Sequence, residues 1–153
     1  MDTIDKATRS KIMSHVGQKN TAPELRLRKA LHRKGLRYRL HDKQLSGSPD
    51  IVLPRYKSVI FVHGCFWHRH EDCKFATTPE NRRDFWWDKF QTNIDRDRKN
   101  IKILLDNGWR VAVVWECSLK GKDSNVDYVV TSLMKWLSMG DSYFEIGGGD
   151  LTN

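Results

Sequence analysis

Apolar residues recur along this chain at two periods, and the switches between them mark out a series of helices and strands. Leu27, Ala30 and Leu31 fall at helical spacing behind Thr21-Ala22-Pro23-Glu24. That tetrad joins an N-cap hydroxyl, an early proline and a capping-box acid, and Gly35 supplies the stop. Tyr38–Leu40 begins an alternating segment, Ser46-Gly47-Ser48-Pro49 is a turn cluster, and Asp50–Leu53 reads as a strand. Beyond a turn at Pro54–Lys57, Ser58–Val62 has the length and composition of a buried strand. A long helix is predicted from Asp84 to Asn107, closed by Gly108, then a buried strand over Arg110–Trp115 and an amphipathic helix over Val126–Leu137. This order predicts an α/β domain of three layers with a mixed central sheet. Its span is residues 21–140, preceded over residues 1–20 by a basic helix or arm. Residues 141–153, with Gly147-Gly148-Gly149, read as a flexible tail.

Length and charge narrow the class. A chain of 153 residues, 39% hydrophobic and 30% charged, can bury one substantial core. The formal charge of +8 favours a polyanionic partner, since each phosphate contact releases counterions. On charge alone, a basic protein with no specific partner explains the surplus as well. Three cysteines make a poor disulfide framework, so reduced thiols, buried or on a metal, are expected. The charged start MDTIDKATRSK has no apolar stretch, and no run is long enough to span a bilayer. No signal peptide and no membrane association are expected, and the expected location is the cytoplasm.

Chemistry concentrates between His63 and Cys73. Cys65, His70 and Cys73 are spaced C-x4-H-x2-C, with Cys117 just past the last strand. Two thiolates, an imidazole and a third thiolate suit tetrahedral Zn²⁺, and four protein ligands would make the ion structural. The alternative is three reduced thiols in a core and histidines on a loop. Asp50 opens a strand whose neighbour ends at His63, the placement by which many Mg²⁺ nucleases hold their metal through oxygen. Phe61 and His63 stand where the PD-(D/E)xK pattern has an acid and a lysine, so further oxygens must come from the Val62 carbonyl and water. An ordinary turn aspartate explains Pro49-Asp50 equally well.

Asp97 shares a helix face with Phe90, Ile94, Ile101 and Leu105, an otherwise apolar stripe expected to face the core. A carboxylate there needs a partner: a histidine, a metal-bound water, or one of Arg96, Arg98 and Lys99. Glu24 is explained by its capping-box position alone. Phe66-Trp67 and Phe85-Trp86-Trp87 sit beside basic residues; such aromatics either fill a core or wedge between base pairs.

Taken in order, Asp5-Lys6-Ala7-Thr8-Arg9-Ser10-Lys11, Gly47-Ser48-Pro49-Asp50, His63–Cys73, Asp84-Phe85-Trp86, Arg96-Asp97-Arg98, Gly108-Trp109-Arg110 and Trp115-Glu116-Cys117 resemble the very short patch repair (Vsr) endonucleases. The resemblance covers residues 5 to about 120. It implies a restriction-endonuclease-like fold of the PD-(D/E)xK type, bearing a structural zinc. It also implies a Mg²⁺-dependent nick 5′ of the T in T·G mismatches left by deamination of 5-methylcytosine. Carried onto this chain, it makes Asp50 the Mg²⁺ ligand, with Val62 contributing its carbonyl. His68 becomes the general base, His63 and Asp97 order the water and metal shell, and Glu24 is a supporting acid. Cys65, His70, Cys73 and Cys117 hold zinc, while Phe66, Trp67 and Trp86 wedge into DNA. The implied protein is a monomer acting on double-stranded DNA in a bacterial cytoplasm, associated with the nucleoid. Two positions depart from the family pattern: Val62 replaces a threonine, and the His70–Cys73 spacing is one residue longer. Two other readings stay open on the sequence: a restriction-like enzyme cutting an intact site, and a non-catalytic zinc-stapled DNA-binding domain.

Overall fold

The computed structural model describes residues 20–151. Helix α1 (Ala22–Arg33) starts as its sequence predicts: the Thr21 hydroxyl accepts the Glu24 N–H at 3.3 Å, and Pro23 sits in the first turn. Three strands lead into the sheet's centre: β1 (Arg39–Leu40), β2 (Ile51–Leu53) and β3 (Ser58–His63), the last two joined through a short turn at Pro54–Tyr56. Helix α2 (Arg83–Asp106) crosses from β3 to β4 (Arg110–Trp115), and helix α3 (Asp123–Met139) crosses from β4 to β5 (Tyr143–Ile146). The strands lie in the order β1-β2-β3-β4-β5. The first two pairings are antiparallel and the last two parallel, giving a mixed five-stranded sheet.

Alternation along the strands divides the core in two. Ile51, Leu53, Ile60, Ala112 and Val114 face α1 and α3, where Leu27, Leu31, Val129 and Leu133 are fully or almost fully buried. Val52, Val59, Phe61, Val111 and Val113 face the other way, toward Leu104 of α2. Two faces covered by helices explain why β3 and β4 read as continuous apolar runs rather than alternating ones. Each fully buried leucine or isoleucine here is worth about 1.5–3 kcal/mol of transfer free energy. The three layers expected from the sequence are thus present.

Two expectations meet a different outcome, and a third falls outside the described residues. Tyr143–Ile146, expected within a flexible tail, form the fifth strand, with Ile146 buried against β4. Parallel pairing with β4 satisfies their backbone, a long-range contact that no local pattern announces. The stripe of α2 is less internal than expected: Phe90 and Leu104 are buried, while Ile94, Asp97, Ile101 and Leu105 are only half-buried. Asp97 and Ile101 line a cleft, while Ile101 and Leu105 also pack against the second half of the core. The basic arm expected over residues 1–20 lies, except for Asn20, outside the described residues.

Candidate active site and metal centre

Asp50, His63, His68 and Asp97 converge on one cleft of about 1150 Å³, at the end of the sheet where β3 stops. Asp50 closes the Ser46–Pro49 turn just before β2. Its Oδ2 accepts the Val62 N–H at 2.7 Å, which ties the carboxylate to β3. Its Oδ1 lies 3.9 Å from His41 Nε2. Burial drives the Asp50 carboxyl up to about 7; the Val62 N–H opposes that shift and the nearby Glu24 adds to it. A cation beside the carboxylate would favour its charged form. In an extended strand the N–H and C=O of one residue point to the same edge, so the Val62 carbonyl faces the side from which its N–H meets Asp50. A carboxylate oxygen, a carbonyl and an open cleft for water are the donor set that a hard cation requires.

The loop after β3 returns His68 to the mouth of the cleft. His68 Nδ1 lies 2.5 Å from Asp97 Oδ2, so Asp97 pairs with an imidazole rather than with Arg96, Arg98 or Lys99. A carboxylate on Nδ1 leaves Nε2 as the basic nitrogen. The His68 ring stacks on His63 with centroids 3.9 Å apart and planes 5° from parallel. Burial first, and then the neighbouring His68, hold His63 well below the usual imidazole range. Phe66 and Trp67 also line the cleft. They meet Trp86 and Phe90 of α2 in an aromatic cluster, with Phe66–Trp67 centroids 5.0 Å apart and Trp67–Trp86 centroids 5.8 Å apart. All three candidate wedge residues are half-buried.

Glu24 is not explained by its cap position. It is 2% exposed, and its carboxylate accepts the Asn20 N–H at 3.0 Å and Arg28 at 3.2 Å, with His41 Nε2 at 2.9 Å. It lies behind Asp50 and is not part of the cleft wall.

On the other side of the loop, one donor atom each from Cys65, His70, Cys73 and Cys117 lies within 4.8 Å of the other three. His70 Nδ1 is 3.7 Å from Cys65 Sγ and 3.4 Å from Cys117 Sγ. A tetrahedral ion with sulfur ligands near ~2.3 Å and nitrogen near ~2.0 Å would set such edges at about 3.5 Å, so the four residues fit one. Burial raises the Cys65 and Cys117 thiols above their ordinary range. The His70 ring stacks on Trp115, and the Gly148 N–H donates to Cys117 Sγ at 3.0 Å. A Cβ on Gly147 would come within 2.6 Å of His70 Cε1, so only glycine lets the chain after β5 close over the cluster.

Sequence reasoning passed over three residues of this region. Glu116 accepts the Cys65 N–H at 3.1 Å, and Asn93 donates to the Trp67 carbonyl at 3.1 Å. Both line the cleft, and each adjoins a motif residue or shares its helix face. His41 stands alone in the sequence, and no spacing singles it out.

Comparison with known proteins defines the class. The family model for the DNA mismatch endonuclease Vsr matches residues 1–74. The DNA mismatch endonuclease Vsr of Escherichia coli is 44% identical over 137 residues, 89% of this chain and 87% of that protein. The type II nicking enzyme V.XorIIP of Xanthomonas oryzae is 47% identical over 118 residues, covering 77% of this chain and 86% of its own length. V.NmeAIP of Neisseria meningitidis, also a type II nicking enzyme, is 46% identical over 121 residues, 79% of this chain and 86% of its own. The protein is a DNA endonuclease, a hydrolase of phosphodiester bonds. A non-catalytic binding domain is thereby set aside. Within that class, the chain belongs to the DNA mismatch endonuclease Vsr family, whose fold is restriction-endonuclease-like. No helix among the described residues is long and apolar enough to cross a membrane.

Proposed function

We propose that this endonuclease nicks the T-bearing strand of T·G mismatches, immediately 5′ of the T, as a monomer dependent on Mg²⁺. One observation carries the chemistry: an Asp97–His68 pair and a buried Asp50, tied to β3 through one carboxylate oxygen, face the same cleft. Bound Mg²⁺ would polarise the scissile phosphate and stabilise the charge that develops on it. Asp50 and the Val62 carbonyl would hold it, with water completing the shell. His68 Nε2 accepts the proton of the attacking water, and Asp97 holds the ring in the required tautomer and offsets the imidazolium that results. His63 keeps the His68 ring in plane by stacking, and Glu24 supports Asp50 from behind.

Cys65, His70, Cys73 and Cys117 hold a structural Zn²⁺, since thiolates and imidazole select a soft tetrahedral ion and four protein ligands leave no open position. That ion pins the loop carrying Phe66, Trp67 and His68. Phe66 and Trp67, braced by Trp86, insert beside the mismatch, where a wobble pair is easier to unstack than a Watson–Crick pair. The T·G origin in deaminated 5-methylcytosine and the bacterial, nucleoid-associated setting follow the resemblance to Vsr enzymes. A single site approached by one His68 attacks one phosphate per binding event, which fits a nick and not a double-strand break. Incubation with Mg²⁺ and duplexes labelled on either strand tests the proposal. Cleavage confined to the T strand of the T·G duplex is expected, and equal cleavage of matched DNA would overturn it.

A further inference from the structure

Behind Asp50 sits a histidine to which the proposed chemistry gives no part. His41 follows β1 in a left-handed backbone conformation, φ 47°, that is uncommon outside glycine, asparagine and aspartate. The turn is held by the His41 N–H, which donates to the Asp50 carbonyl at 3.1 Å. His41 Nε2 lies 2.9 Å from Glu24 Oε2 and 3.9 Å from Asp50 Oδ1. The donor atoms of Glu24, His41 and Asp50 all fall within 4.8 Å of one another. Glu24 and Asp50 are both buried, yet only Asp50 reaches the cleft.

Two buried carboxylates at this range repel, and a cation near one would also draw the other. Asp50 Oδ2 is tied to β3, whereas Glu24 has to be restrained from the α1 side. Asn20 and Arg28 hold it from the α1 side, and His41 Nε2 is a third partner that also lies 3.9 Å from Asp50 Oδ1. We propose that His41 is a positioning residue: it holds Glu24 back from Asp50 and so keeps Asp50 Oδ1 turned into the cleft for a divalent cation. The role needs only a neutral N–H on Nε2. It rests on the reading of Asp50 as the cation ligand.

The backbone hook survives substitution, so the ring's contribution can be measured by itself. Glutamine places an amide N–H about as far out as Nε2, whereas asparagine tolerates the left-handed backbone but falls about one bond short. Three quantities decide: the Mg²⁺ concentration for half-maximal nicking of a T·G duplex, KM for that DNA, and the rise in melting temperature that Mn²⁺ alone gives the DNA-free protein. In His41→Asn the Mg²⁺ requirement should rise about tenfold and most of the Mn²⁺-induced rise should vanish, with KM within about twofold. His41→Gln should restore both readouts. Should the asparagine variant fail to fold, His41→Ser replaces it with the same expectation. Asp50→Ala is assayed in parallel. If it still nicks, the cation reading of Asp50 fails. If it is inactive while His41→Asn matches the wild type, or if Gln loses as much as Asn, the role given to His41 is overturned. Wild-type protein that Mn²⁺ leaves unstabilised also counts against a cation seat built by this chain's own residues.

Discussion

Two clusters of metal-competent side chains flank a single loop, and they differ in almost every physical respect. On one side Asp50, His63, His68 and Asp97 offer oxygen and imidazole to an open cleft. On the other, Cys65, His70, Cys73 and Cys117 offer mainly sulfur, and Gly147 and Gly148 close over them. The loop alternates between them: His63 to the cleft, Cys65 to the sulfur cluster, Phe66, Trp67 and His68 to the cleft, His70 back to sulfur. Hard donors with room for water suit chemistry, whereas soft donors without an open position suit architecture. Because the clusters share a loop, the architectural one should govern how well the chemical one is formed.

Disabling each cluster separates the two roles. The largest effect is expected from Asp50→Ala: nicking should fall by at least about 10³-fold, since a metal ligand supports several kcal/mol of charge stabilisation. Affinity for T·G duplex, measured by gel shift, should stay within about tenfold. His68→Ala should cost roughly 10²–10⁴-fold in single-turnover rate, the usual contribution of a general base. Asp97→Asn should cost less, about 10–100-fold, because it acts through the His68 ring. Near-normal nicking by His68→Ala would remove it from the mechanism.

The sulfur cluster should respond in stability first. Cys73→Ser should lower zinc content by elemental analysis and lower the melting temperature, because binding energy at such a site is folding energy. Activity should fall with it, through the loop and not through affinity for Mg²⁺. Gly147→Ala should act in the same direction but more weakly, since the added Cβ displaces His70 alone. Purified protein without zinc would sink the assignment. The smallest effects belong to the aromatic cluster: Trp67→Ala or Trp86→Ala should reduce the preference for T·G over matched duplex by about tenfold, within the few kcal/mol that unstacking involves. Unchanged discrimination in both variants would leave these residues a packing role.

How legible each region was follows from the range of the contacts that define it. Helix α1 and strands β3 and β4 were readable because caps and apolar runs are local signals. Asp97 could be singled out as a carboxylate on an apolar stripe, but that its end of the stripe borders a cleft shows only in the folded chain. Its partner could be narrowed only to a histidine, a water or a neighbouring base, since the loop's return path is tertiary. Strand β5 was missed for the same reason: parallel pairing to β4 across α3 leaves no mark in Tyr143–Ile146. Glu24 looked like a cap acid because its long-range partner, His41, is visible only in the folded chain, while Arg28, four residues on in the same helix, was passed over. The cysteine spacing was informative because metal ligation limits which residue types can meet, wherever they lie.

The central claim is that the cleft acts on one strand of a mismatch. Its most direct test is a single-turnover assay with Mg²⁺ on a T·G duplex carrying a different label on each strand, beside the matched T·A and C·G duplexes. Cutting only the T strand, at the phosphate 5′ of the T, with matched duplexes left at least about 10²-fold slower, is the expected result. Breakage of both strands, or of matched DNA at the same rate, would contradict the account and make the protein a cutter of intact sites.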